Sequence, residues 1–267
     1  MTKLTTAALA AAASTLLTAS AAGADTGFLD RSVTIGATTY PYQVYVPIDL
    51  SSARRWPVIV YLHGGGAQGR DGLLPTVGGL ANDIRARRDA FPTIALFPQA
   101  SPNATWSQSD MQDLVLRELE QTMAEFHGDP ARIYLAGYSM GGVGAYRMAY
   151  RWPQKFAALI VMAGRVEDSS AAGETVSGAN RKLYPYLVDN DPFAALAKQI
   201  KSLPTWLFHG DADESVPVEQ SRHMAAALQK VGTFVRYTEY YRGLHQETPS
   251  RAFADTDMLT WLWQQHR

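Results

Sequence analysis

The sequence predicts an α/β domain: a mostly parallel central sheet with helices on both faces and an N-terminal antiparallel hairpin. Three observations predict it. From Val58 onward, short apolar runs alternate with segments of helical periodicity, the pattern of β-α-β units. The run Val58-Ile59-Val60-Tyr61-Leu62 is apolar at every position, as a strand buried on both faces requires. The chain has 267 residues, 46% hydrophobic and 18% charged, with no internal repeat and no linker that would divide it.

The first residues read as an export signal. Lys3 is a short positive start, residues 4–17 form an Ala/Thr/Leu run, and Ala22-Gly23-Ala24 fits the small-x-small cleavage rule. Residues 1–24 are therefore expected to be removed, with Asp25 the first mature residue and a secreted or periplasmic destination. Residues 25–267 are then one catalytic domain. The run is short and weakly apolar for a membrane span, so no stable membrane anchoring is expected. A net charge of −1 gives no footprint for nucleic acid. The absence of cysteine removes disulfides, thiolate metal sites and cysteine nucleophiles.

Residues 33–35 and 40–46 read as two strands joined near Gly36, with Pro41 suggesting an edge position. The strand at 58–62 runs into His63-Gly64-Gly65-Gly66. Such a glycine cluster lets backbone N–H groups turn inward at the C-terminal edge of the sheet, where open α/β sheets place their ligands. Gly65 is the expected oxyanion donor, with Gly64 or Gly66 as alternatives, and His63 the organiser of the loop. Residues 80–88 read as a short helix and 93–97 as a strand. Residues 102–108 read as a loop whose Trp106 either lines a cleft or packs. Residues 110–126 form the clearest amphipathic helix. Met111, Leu114, Val115, Leu119, Met123 and Phe126 share one face, with Glu118, Glu120 and Glu125 elsewhere.

Next comes Ile133-Tyr134-Leu135-Ala136-Gly137-Tyr138-Ser139-Met140-Gly141-Gly142. An apolar run, a glycine turn carrying one serine and a small-residue helix start fit a nucleophile elbow. The helix start aims N–H groups at developing negative charge, which makes Met140 the second oxyanion donor. Residues 143–151 continue as a helix and 156–162 as a strand. Residues 165–191 are long for a βα connection and read as an insertion or lid over the active-site edge. Helices follow at 193–200, 218–230 and 252–264, with strands at 205–208 and 234–241.

Three chemical groups fall just after strand ends: Ser139, an acid at Asp211 or Asp213, and His245. A serine hydroxyl is a poor nucleophile, so His245 would take its proton, and the carboxylate would hold the imidazole in the right tautomer. Losing one oxyanion donor typically costs about 3–4 kcal/mol of barrier. Asp211, Asp213 and Glu214 lack the glycine and later glutamate of a calcium loop, so no metal is expected.

These residues resemble the α/β-hydrolase superfamily. Within it the chain is similar to the secreted bacterial esterases related to polyhydroxybutyrate depolymerases, feruloyl esterases and predicted peptidases. The similarity runs from about residue 40 to 263. It is most specific at Asp129-Pro130-x-Arg132-Ile133-Tyr134-Leu135-x-Gly137-x-Ser139-Met140-Gly141-Gly142, at His209-Gly210-x-x-Asp213-x-x-Val216-Pro217 and at Arg236-Tyr237-x-Glu239-Tyr240. The resemblance implies the α/β-hydrolase fold, Ser139, Asp213 and His245 as a triad, and an esterase without cofactor. It favours Asp213 over Asp211. Leu244 stands where relatives often carry glycine, and residues 165–191 have no counterpart in them.

The leading expectation is an exported hydrolase of small-molecule or sugar esters, with a cleft lined by Arg70, Trp106, Tyr138, Tyr184 and Tyr186. A peptidase or acyltransferase of the same fold and a non-catalytic binding protein are the alternatives. Activity on amides, transfer to acyl acceptors, or loss of a triad member would distinguish them. The sequence is silent on oligomeric state.

Overall fold

The computed structural model describes residues 25–167 and 178–267. The expected export signal, residues 1–24, and the middle of the expected insertion at 165–191 lie outside the described residues.

Eight strands form one sheet in the order β1-β2-β4-β3-β5-β6-β7-β8. β1 (Gly27–Ile35) and β2 (Thr38–Val46) make the antiparallel hairpin, turning at Gly36, and β2 joins β4 (Ile94–Phe97) in antiparallel pairing. All later pairings are parallel: β4 with β3 (Trp56–Leu62), β3 with β5 (Gly128–Tyr138), then β6 (Ala158–Met162), β7 (Thr205–Gly210) and β8 (Val235–Tyr240). This is the α/β-hydrolase fold.

The apolar runs are continuous because each face of the sheet has its own cover. Val58, Val60 and Leu62 of β3, Leu135 of β5 and Leu159 and Val161 of β6 face one core. That core is closed by α2 (Ser109–Glu125), α3 (Met140–Arg151), α5 (Pro192–Gln199) and α6 (Glu219–Lys230). Ile59, Tyr61, Tyr134, Ala136, Ile160 and Phe208 face the other core. It is closed by α1 (Gly79–Ala86), α7 (Thr248–Ala254) and α8 (Thr256–Trp263).

Three expectations are corrected. The C-terminal helix is two helices: Asp255 leaves helical geometry and its carboxylate accepts the N–H groups of Asp257 and Met258, capping α8. Pro41 is not on an edge strand. β4 bonds β2 only at residues 43–45, so Pro41 lies beyond that ladder, where its missing N–H breaks no pairing. Glu118 is fully buried rather than on the solvent face of α2. In the second described part of the insertion, α4 (Gly178–Leu183) and a tight turn at residues 185–188 lead into α5.

Candidate active site

The serine sits where β5 must become α3 without a loop. Ser139 has φ +54° and ψ −118°, a left-handed conformation that is rare outside glycine. Its N–H donates to the Met162 carbonyl at 2.9 Å, and its own carbonyl accepts from Val143 at 3.0 Å, which ties the strained residue to β6 and α3. The crossing is so close that a Cβ on Gly137 would lie 2.0 Å from the Gly141 carbonyl oxygen. One on Gly141 would lie 1.9 Å from that of Leu62. The glycines of the elbow therefore answer a steric demand.

His245 comes after β8, in a short turn at residues 245–247. Its Nε2 is 2.8 Å from Ser139 Oγ and its Nδ1 is 2.6 Å from Asp213 Oδ2. A carboxylate only accepts, so Nδ1 carries the proton and Nε2 is free to receive that of Ser139. The loop needs its glycine at 243 rather than 244: a Cβ on Gly243 would lie 2.8 Å from Tyr240 Cβ and 2.9 Å from the Tyr240 carbonyl oxygen. Leu244 has no such constraint and is partly exposed.

Asp213, not Asp211, meets His245. Asp211 is exposed, whereas the Asp213 side chain is fully buried. Its Oδ1 accepts the N–H groups of Ser215 and Val216, each at 2.8 Å. Burial alone would raise its pKa. Hydrogen bonds from His209, His245 and these two amides outweigh that and hold the carboxyl well below the usual carboxylate range. It is an anion at neutral pH.

His209 is the residue that the sequence did not reveal. It is fully buried at the end of β7, with Nδ1 2.7 Å from Ser221 Oγ and Nε2 3.0 Å from the Val216 carbonyl and 3.2 Å from Asp213 Oδ2. The only hint was a histidine four residues before the acid. Its partner Ser221 is brought in by the return of α6.

The glycine loop after β3 borders the serine: a Cβ on Gly64 would lie 3.5 Å from Ser139 Cβ. His63 fixes this loop. Its Nε2 accepts from Ala100 N–H at 3.0 Å, so the proton is on Nδ1, which donates to the Gly64 carbonyl at 2.6 Å. Burial pushes the imidazole pKa down to about 4, against the opposing effect of the Gly64 carbonyl. Gly65 is exposed at the start of a short turn, and Met140 opens α3 beside the serine.

Three of the five expected cleft residues are buried in the fold. Trp106 is fully buried; its Nε1 donates to the His63 carbonyl at 3.0 Å and its ring meets the imidazole edge-on. Tyr184 and Tyr186 belong to the core against α3. The Tyr184 hydroxyl bonds Gln112 and Ser107, and the Tyr186 hydroxyl accepts from Arg147. These three present no surface to a cleft, because their polar ends are used in holding the fold. Arg70 is exposed on the loop. Tyr138 alone is partly exposed at the site, its ring 5.0 Å from that of His245.

The arrangement can move a proton from serine to imidazole beside a glycine loop and a helix N-terminus, the layout of serine hydrolases. Solved structures agree. The chain is similar to a thermostable esterase (28% identity, TM-score 0.73), covering 90% of this chain and 63% of that one. It thus spans less than two thirds of that esterase. It is also similar in fold to a ferulic acid esterase (17% identity, TM-score 0.65, 88% and 98% of the two chains). A third is an S-formylglutathione hydrolase from Agrobacterium tumefaciens (20% identity, TM-score 0.65, 88% and 93%). No curated protein matches the chain. Fold and matches put the chain among serine hydrolases with esterase-like and peptidase-like relatives. Residues 99–266 match the prolyl oligopeptidase family, and the chain belongs to that family.

Proposed function

We propose that this chain hydrolyses carboxylic esters of small molecules or sugars through an acyl-enzyme on Ser139. The observation that supports it is His245 bridging Ser139 Oγ and Asp213 Oδ2 at 2.8 and 2.6 Å. In this reading His245 takes the serine proton as Oγ attacks the ester carbonyl. The oxyanion is received by the N–H groups of Gly65 and Met140. His245 then protonates the leaving alkoxide, and water, deprotonated by the same imidazole, releases the acid. Asp213 orients the imidazole and stabilises its charge. The chemistry calls on no group outside the chain. Residues 1–24 are proposed to direct export, with the chain acting in a secreted or periplasmic setting.

The family name and an acylaminoacyl peptidase among the structural neighbours favour a second reading, cleavage of amides by the same residues. Nitrophenyl esters and the matching anilides, tested with wild type and Ser139→Ala, separate the two. Ester hydrolysis is expected, lost by about 10⁴-fold or more in a folded Ser139→Ala chain. Turnover of anilides above esters would favour the peptidase. Undiminished activity in Ser139→Ala would overturn both.

A further inference from the structure

A cavity of about 300 Å³ lies beside the candidate active site, between the glycine loop after β3 and the first turn of α7. Its walls include Tyr61, Leu74, Val77, Tyr138, Gln246 and Pro249. None of the lining residues is Asp, Glu, Lys or Arg. His63, which also lines it, has both ring nitrogens engaged within its own loop and stays neutral above about pH 4. Leu74 and Val77 are exposed at its mouth, although each is apolar. Such a site repels charge and rewards apolar surface.

We propose that this cavity receives the alcohol half of the ester, and that the preferred alcohol is uncharged and apolar, aromatic or medium-chain. The inference rests on Ser139 being the nucleophile. The reason for the alcohol half is position. The leaving oxygen has to come within reach of His245 Nε2 to be protonated. The cavity is built on that side: Gln246 follows His245 directly, and Tyr138, which walls the cavity, lays its ring against the His245 ring. An apolar cavity of about 150 Å³ holds benzene, so twice that volume takes a benzyl or hexyl group and leaves a methyl group poorly held.

The test uses the full chain and two ester series. One varies the alcohol on acetate (methyl, butyl, hexyl, benzyl). The other varies the acid on the methyl ester (acetate, butanoate, hexanoate, 3-phenylpropanoate). Leu74→Trp narrows the mouth and Leu74→Ala widens it. We expect kcat/KM to rise at least tenfold from methyl to benzyl acetate. Leu74→Trp should remove most of that rise, and Leu74→Ala should shift preference toward naphthylmethyl acetate. The acid series should respond less than twofold. A flat alcohol series overturns the proposal, as does an acid series that alone responds to Leu74, or an equal response of both. Calorimetric binding of benzyl acetate to Ser139→Ala, with and without Leu74→Trp, separates the two readings. If wild type hydrolyses no ester while Leu74→Trp weakens this binding at least fivefold, the catalytic reading falls and the cavity stands. If wild type is active and Leu74→Trp leaves the binding unchanged, the cavity alone falls.

Discussion

His209 Nε2 lies 3.2 Å from Asp213 Oδ2, the same oxygen that receives His245 Nδ1 at 2.6 Å. The Val216 carbonyl, 3.0 Å from that Nε2, can only accept, so the nitrogen carries a proton and donates. One carboxylate oxygen thus serves two imidazoles, and its charge is divided between them.

His209→Phe is expected to lower kcat/KM by about tenfold or more, the worth of a hydrogen bond to a charged group. The loss should fall on kcat rather than on KM, because His209 touches the acid of the triad and not the substrate. His209→Gln, which keeps a donor, should recover part of the loss. An unchanged kcat in a folded His209→Phe would remove any positioning role.

Gly141→Ala is expected to fail through the backbone. Its Cβ would lie 1.9 Å from the Leu62 carbonyl oxygen, and β3 cannot yield without moving the loop it carries. Stability should fall by about 3 kcal/mol, at the upper end for overpacking. Ester hydrolysis should fall about 100-fold, as for a misplacement near 1 Å. Gly65→Ala, whose Cβ meets open space, should stay within about 0.5 kcal/mol of wild type in urea unfolding.

His63 makes the fold sensitive to acid. Its folded pKa, about 4, is below the ordinary value of 6.5, so the unfolded chain binds the extra proton first. The stabilisation is complete above about pH 6.5 and is lost as pH falls toward 4. The full shift corresponds to about 3 kcal/mol. Unfolding free energies of wild type and His63→Gln, measured from pH 7 to 4, should converge by that order. Parallel curves would contradict the assignment.

Glu118 has the opposite sign. Burial raises its pKa well above the ordinary 4.5, and neither carboxyl oxygen has a hydrogen-bond partner among the described residues. Its folded form holds a proton that the unfolded chain releases, so its contribution is complete below about pH 4.5 and is lost as pH rises through the folded pKa. Glu118→Gln should therefore be more stable than wild type at pH 8, by about 1–3 kcal/mol, and nearly equal to it at pH 5. Thermal melts at the two pH values check this.

What the sequence made legible was what sterics dictate locally. The elbow could be read because only glycine fits at 137 and 141, and the sheet because buried parallel strands are apolar throughout. Glu118 shows where residue type misleads. It lies four residues from Leu114 and three from Val115, on the buried stripe itself, and its charge alone suggested otherwise. Trp106, Tyr184 and Tyr186 look like cleft aromatics in sequence, but their polar ends are spent on backbone and side chains from distant segments. The contact between His209 and Ser221 depends on how α6 folds back, which no local pattern encodes.

β8 is the last strand of the sheet, bonded to β7 alone, and His245 hangs from its far end. Ser139, by contrast, is seated on β5 in the interior, stitched on both sides. Warming loosens borders before centres. The imidazole should then drift from its hydroxyl while the rest of the molecule stays ordered. Turnover is expected to fade, reversibly, several degrees below the cooperative melt seen by calorimetry. The ceiling on working temperature would be set by one strand's grip, and strengthening β8 against β7 should raise that ceiling without moving the melting point as far.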